Sequence, residues 1–98
     1  MTLEQHTQQL RERVGEDSGL GSTLKLDLSP DGVIHIDAVS VPNVVSNDDK
    51  EAACTIKLSV ATLDELAAGD LAPTTAFMTG KLAIDGDMGI ALKLQDIL

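Results

Sequence analysis

The stretch from Gly69 to Met88 constrains this chain more than any other, because within twenty residues it must end one helix, hold a second and deliver a strand. Gly69 follows Leu63, Leu66 and Ala67, which share one helical face, and glycine there supplies the left-handed conformation in which helices commonly end. Thr62 and Glu65 stand at capping-box spacing and predict where that helix starts, with Ser59 as a competing cap. Pro73 suits the first position of a short helix, where its missing N–H costs nothing, and Gly80 closes that helix after Phe77 and Met78. Residues 81–85 then read as a strand with Leu82 and Ile84 inward.

Upstream, Leu3, Leu10 and Val14 recur near a helical period, which predicts an amphipathic helix over 2–14 with a weak apolar stripe and loose packing. Residues 15–21 hold three glycines and read as a linker. A phosphate loop needs a strand before it and a helix after it, the reverse of the order here. Leu24, Leu26 and Leu28 alternate with Lys25 and Asp27, and Ile34, Ile36 and Ala38 alternate with His35 and Asp37. With Pro30, Asp31 and Gly32 between them, these runs predict a hairpin of strands 23–29 and 33–38, one face dry and one wet. Pro42 removes a ladder donor beside Val41, Val44 and Val45, so 43–46 is an edge strand. Cys54, Ile56, Leu58 and Val60 alternate over 53–60 as another strand. Asp87 caps a final helix with two apolar stripes, Met88, Ala91, Leu92 and Gln95 on one and Ile90, Leu94 and Ile97 on the other. Such a helix has more apolar surface than one sheet contact hides, so it must meet a ligand, a second helix or a second subunit.

Ninety-eight residues suffice for one domain, 1–98, with one core. Phe77 is the only aromatic residue. A core of aliphatic side chains must lose volume by being thin or by leaving space inside, and such space suits an aliphatic ligand. Sixteen acidic against seven basic residues give a net charge of −9, which repels nucleic acid and anionic lipid head groups. The polar N-terminus and the lack of a long apolar run predict neither a signal peptide nor a membrane span, and a cytoplasmic protein is the expectation.

Chemistry-bearing patterns are sparse. His35 and Asp37 lie two apart on the wet face of a strand, an arrangement that solvated side chains explain far better than a general base does. Neither Ser46 nor Ser59 sits in a nucleophile elbow, and Cys54 has no cationic neighbour in sequence to activate it. His6, His35 and one thiol are too few soft ligands for a zinc site. The acidic run 47–51 lacks the glycine and alternating oxygens of a calcium loop. No catalytic residue, metal or cofactor is expected.

From Cys54 onward the order of elements resembles the sterol carrier protein 2 (SCP2) lipid-binding domain family. The residues that carry the resemblance are Leu58 and Ser59, Gly69, Pro73, the run Ala76, Phe77 and Met78, the run Gly80, Lys81 and Leu82, the run Gly86, Asp87 and Met88, and then Lys93 and Leu94. The first half agrees only in pattern, one helix followed by a hairpin. The resemblance implies an α+β fold: a five-stranded, largely antiparallel sheet covered on one face by helices, with an apolar tunnel holding a fatty acid, acyl-CoA or sterol. It also implies a tunnel lined by Phe77 and Met78 at a helical lid, by Met88, Ile90 and Leu92 on the final helix, and by Leu66 and Leu71 nearby. Each of these also suits a plain core position. Lys81 or Lys93 would be the candidates to meet a head group. Burying a sixteen-carbon chain at about 0.8 kcal/mol per methylene sets an upper bound near ~12 kcal/mol before association costs. The alternative is an interaction module, in which the apolar final helix builds a homodimer or docks on a partner protein.

Overall fold

The alternating runs assemble into one sheet. In the computed structural model, which describes residues 2–15 and 19–94, β1 (Thr23–Asp27), β2 (Val33–Asp37), β3 (Val44–Ser46), β4 (Cys54–Leu58) and β5 (Leu82–Gly86) lie in the order β3-β2-β1-β4-β5. All neighbours are antiparallel except β1 and β4. The register sets Val45, Ile36, Leu24 and Cys54 in one row, and Ile34, Leu26, Ile56 and Ile84 in the next. Period-2 alternation puts both rows on the same face, so they form the floor of the core.

Among the described residues, four helices join this sheet: α1 (Leu3–Val14), α2 (Val60–Ala68), α3 (Pro73–Met78) and α4 (Met88–Leu92). Of the two caps that the sequence offers for α2, Ser59 is the one used, its Oγ accepting from the Thr62 N–H at 3.0 Å, and Thr62 is buried in the first turn. Ser59 keeps the extended backbone that an N-cap needs, so β4 stops at Leu58 and Val60 opens the helix. Gly69 ends α2 with φ of 80°, and Pro73 opens α3, as the sequence predicts. Asp87 caps α4, its Oδ1 accepting from the Gly89 N–H at 2.8 Å. Gln95 and Ile97 of the expected stripes, and residues 16–18 of the expected linker, lie outside the described residues.

Two expectations for the first half are corrected. Helix α1 does not rest on a thin apolar stripe alone: His6 and Thr7 are buried beside Leu10 and Val14, His6 bonds Asp64 of α2, and Arg11 Nε donates to the Val45 carbonyl at 3.0 Å. That last bond also occupies a backbone acceptor on edge strand β3, where an unpaired one would invite pairing with another chain. The second correction is His35, which is buried although it points away from the dry face. The crossover from β3 to β4 spans that side of the sheet. Lys25 Nζ meets Asp49 Oδ1 at 3.0 Å, His35 Nε2 bonds the Glu51 carbonyl at 3.1 Å, and the Ala53 N–H donates to Thr23 Oγ1 at 2.9 Å. Asp37 turns instead to the Val39 N–H, so no His–carboxylate pair forms here.

Candidate functional site

At the β4–β5 end of the sheet the core opens to the surface. Ile56, Leu82 and Ile84 form a floor, Pro73, Thr74 and Phe77 of α3 one wall, and Met88, Ala91 and Leu92 of α4 the other, with Leu94 closing the end. The enclosed space is about 80 Å³. Sequence chemistry explains the shape: α3 is a short Pro-initiated helix and α4 has only five residues, so neither is long enough to cover the floor completely. Phe77, Met88 and Leu92 remain 44%, 47% and 54% exposed along the rim.

Among the described residues, the lining holds one hydroxyl, that of Thr74, and no Lys, Arg or His. Of the lysines near it in sequence, Lys81 is engaged by Glu65 at 3.2 Å and Lys93 Nζ reaches the Leu20 carbonyl at 3.4 Å. Asp85 and Asp87 flank the strand-to-helix step that carries Ile84 and Met88. Cys54 lies under this corner. Burial pushes its thiol above the ordinary value, and the charges of Asp87 and then Asp85 push it further. A raised thiol stays protonated and is a poor nucleophile. The arrangement can bury hydrocarbon, and among the described residues its lining offers no acid–base or nucleophilic pair.

Residues 2–98 match the family described as SCP-2 sterol transfer. The chain belongs to the SCP-2 sterol transfer family. Among curated members, bovine (Bos taurus) sterol carrier protein 2 is 47% identical over 55 residues, which are 56% of this chain and 10% of that protein. The chain therefore aligns to only about a tenth of that relative's length. The SCP-2 fold is also seen in the crystal structure of sterol carrier protein 2 like 2 from Aedes aegypti, with a TM-score of 0.74 at 17% identity over 98% of this chain and 95% of that one. The solution structure of the same mosquito protein in palmitated form superposes with a TM-score of 0.63, at 17% identity over 99% of this chain and 94% of that one. A sec-alkylsulfatase from Pseudomonas sp. contains the fold as a part, with a TM-score of 0.65 at 24% identity over 88% of this chain and 15% of the enzyme.

In this SCP-2 member the seven residues singled out in the sequence fall into separate places. Phe77, Met88 and Leu92 come together around the groove. Leu66 and Ile90 are buried in the core, and Leu71 packs against it half-buried, none of the three lining the space. Met78 projects to solvent, 79% exposed, outside the groove. Leu82 and Ile84 were recognisable as inward positions of a strand, and Ala91 and Leu94 as parts of helical stripes. Alternation and stripes say which side chains leave water, and only the placement of α3 and α4 on β5 says which of them border a space.

Proposed function

We propose that this chain is a soluble intracellular, non-catalytic binder and carrier of apolar lipids: a fatty acid, a fatty acyl-CoA or a sterol-like molecule. The observation that carries the reading is the apolar groove between β5, α3 and α4, whose rim leaves Phe77, Met88 and Leu92 partly in water. Family membership and the palmitated mosquito relative support the ligand class.

The groove volume sets a condition on the mechanism. An apolar cavity of about 150 Å³ admits benzene, and drug-sized ligands occupy about 300 Å³ or more. At about 80 Å³ the groove is too small for a long chain. Lipid entry therefore requires the rim side chains to swing out or the short helices to part from β5, extending the groove into a tunnel. The exposed rim makes this opening inexpensive, since Phe77, Met88 and Leu92 lose little packing when they move and gain it on a ligand.

Displacement of an uncharged fluorescent fatty-chain probe, combined with native mass spectrometry of the freshly purified protein, tests the proposal. Micromolar displacement or a co-purified lipid is expected. A bare mass together with no displacement would count decisively against it.

A further inference from the structure

We infer that the groove selects lipids with an uncharged head group over those carrying a carboxylate or phosphate, an inference that rests on the lipid-binding reading above. Among the described residues, none that lines the groove carries a positive charge, and only the Thr74 hydroxyl offers a polar group. A head group at the rim would meet no unengaged lysine among its near neighbours in sequence: Lys81 is paired with Glu65, and Lys93 turns toward the Leu20 carbonyl. Lys57 sits opposite Ala83 in the β4–β5 register, one place off from the row of Ile56 and Ile84 and therefore on the other face of the sheet.

A negative charge is placed the other way. Asp87 caps the helix whose first residue, Met88, forms the wall, while Asp85, one place off from Ile84, shares the other face of the sheet with Lys57. Of the two carboxylates, Asp87 acts the more strongly on the Cys54 thiol beneath the groove, so its field reaches into this corner. Net charge of −9 adds a diffuse repulsion for any anion approaching the mouth. An ionised head group would lose hydration, meet no counter-charge and face like charge. An alcohol, ester or amide of the same chain length would bury the same hydrocarbon without that opposition.

The test compares dodecanol, methyl dodecanoate and dodecanoate as competitors of an uncharged fluorescent probe, at mildly alkaline pH where the acid is ionised. It is run at low (about 0.01 M) and high (about 1 M) salt, where screening lengths are about 30 and 3 Å. The neutral ligands should bind about tenfold more tightly than dodecanoate at low salt, and the gap should narrow at high salt. Because an alcohol is also intrinsically more apolar than a carboxylate, the variant Asp87→Asn isolates the charge contribution. Its asparagine at 87 keeps a capping oxygen. That variant should narrow the low-salt gap severalfold. Equal or tighter binding of dodecanoate, or a gap that neither salt nor the Asp87→Asn variant changes, overturns the inference while leaving lipid binding intact. Failure of all three ligands to compete overturns the lipid-binding reading and the inference with it.

Discussion

His6 Nε2 lies 2.6 Å from Asp64 Oδ1 and ties α1 to α2 across 58 positions of sequence. The imidazole is 2% exposed while the carboxylate is partly in water, so the bond satisfies a ring nitrogen that has no access to solvent. Removing the acceptor strands a buried polar group. Asp64→Ala should destabilise the fold by about 1–3 kcal/mol. His6→Ala, which also leaves a hole under α1, should cost at least as much. Urea denaturation of both single variants and the double variant measures the coupling. Additive losses would show that the two residues do not act as a pair.

Gly86 presents a different kind of constraint. Its φ is +116°, and a Cβ there would lie 2.3 Å from the Ala53 carbonyl oxygen, a contact with backbone that has nowhere to go. Gly69, with φ of +80°, has open space where its Cβ would be. Gly86→Ala should therefore cost well over ~2 kcal/mol and displace the end of β5, whereas Gly69→Ala should cost only about 1 kcal/mol from its backbone conformation. Thermal melting of the two variants side by side checks the order, and equal losses would contradict it.

The contrast between these two glycines illustrates what sequence patterns can and cannot carry. Gly69 was legible because a helix C-cap is a local event, set by the residue and its few predecessors. The hairpin of β1 and β2 was legible for the same reason, with Leu24, Leu26, Ile34 and Ile36 alternating on either side of a turn. The demand at Gly86 comes from Ala53, thirty-three positions away, and no local pattern records it. The parallel pairing of β1 with β4 is equally non-local. His35 was read as solvated because its strand alternates, yet the crossover that carries Asp49 and Glu51 folds over that face. At the groove, Phe77, Met88 and Leu92, named from the family resemblance and not from any local pattern, border the space. The same resemblance named Leu66 and Ile90, which are core, and Met78, which lies outside the space.

Asp27 gives the acid side of the stability profile a specific source. The Ser29 hydroxyl and then the Ser29 N–H donate to its carboxylate and hold its pKa below the ordinary 3.8, with Lys57 and Lys25 helping and partial burial opposing. A carboxyl whose folded pKa is lowered contributes stability above its unfolded value and loses it as pH falls through the folded one. Ser29→Ala should flatten the decline in urea midpoint below pH ~4 without changing it at neutral pH beyond the small loss of the turn bonds. An unchanged acid limb would remove Asp27 from the account.

Cys54 shapes the alkaline side. Its side chain is fully buried in β4, and burial, then Asp87 and Asp85, hold the thiol above the ordinary 9.0. A raised folded pKa contributes stability that is complete below the unfolded value and is lost as pH rises through the folded one. Wild-type protein should lose stability above pH ~9 more steeply than Cys54→Ala. In the native state the thiol should also react with a disulfide reagent only as fast as the fold opens, and at the rate of a free thiol in denaturant. Rapid modification without denaturant would contradict this placement.

The groove makes its own division among the apolar residues, because exposure separates a side chain that waits for a ligand from one that already packs. Phe77→Ala and Leu92→Ala remove partly exposed rim groups and should cost under ~1.5 kcal/mol of stability, while weakening a bound C12 chain severalfold through the hydrocarbon contact they lose. Leu66→Ala and Ile90→Ala remove core side chains and should cost about 2–5 kcal/mol, with affinity changing only as far as the folded population falls. Met78→Ala should alter neither, since the side chain meets neither core nor groove. Denaturation and probe displacement on the same five variants place each on two axes. A rim variant that unfolds the protein, or a core variant that stays stable and loses the ligand, would show that the lipid path runs through the core of the fold and not along this rim.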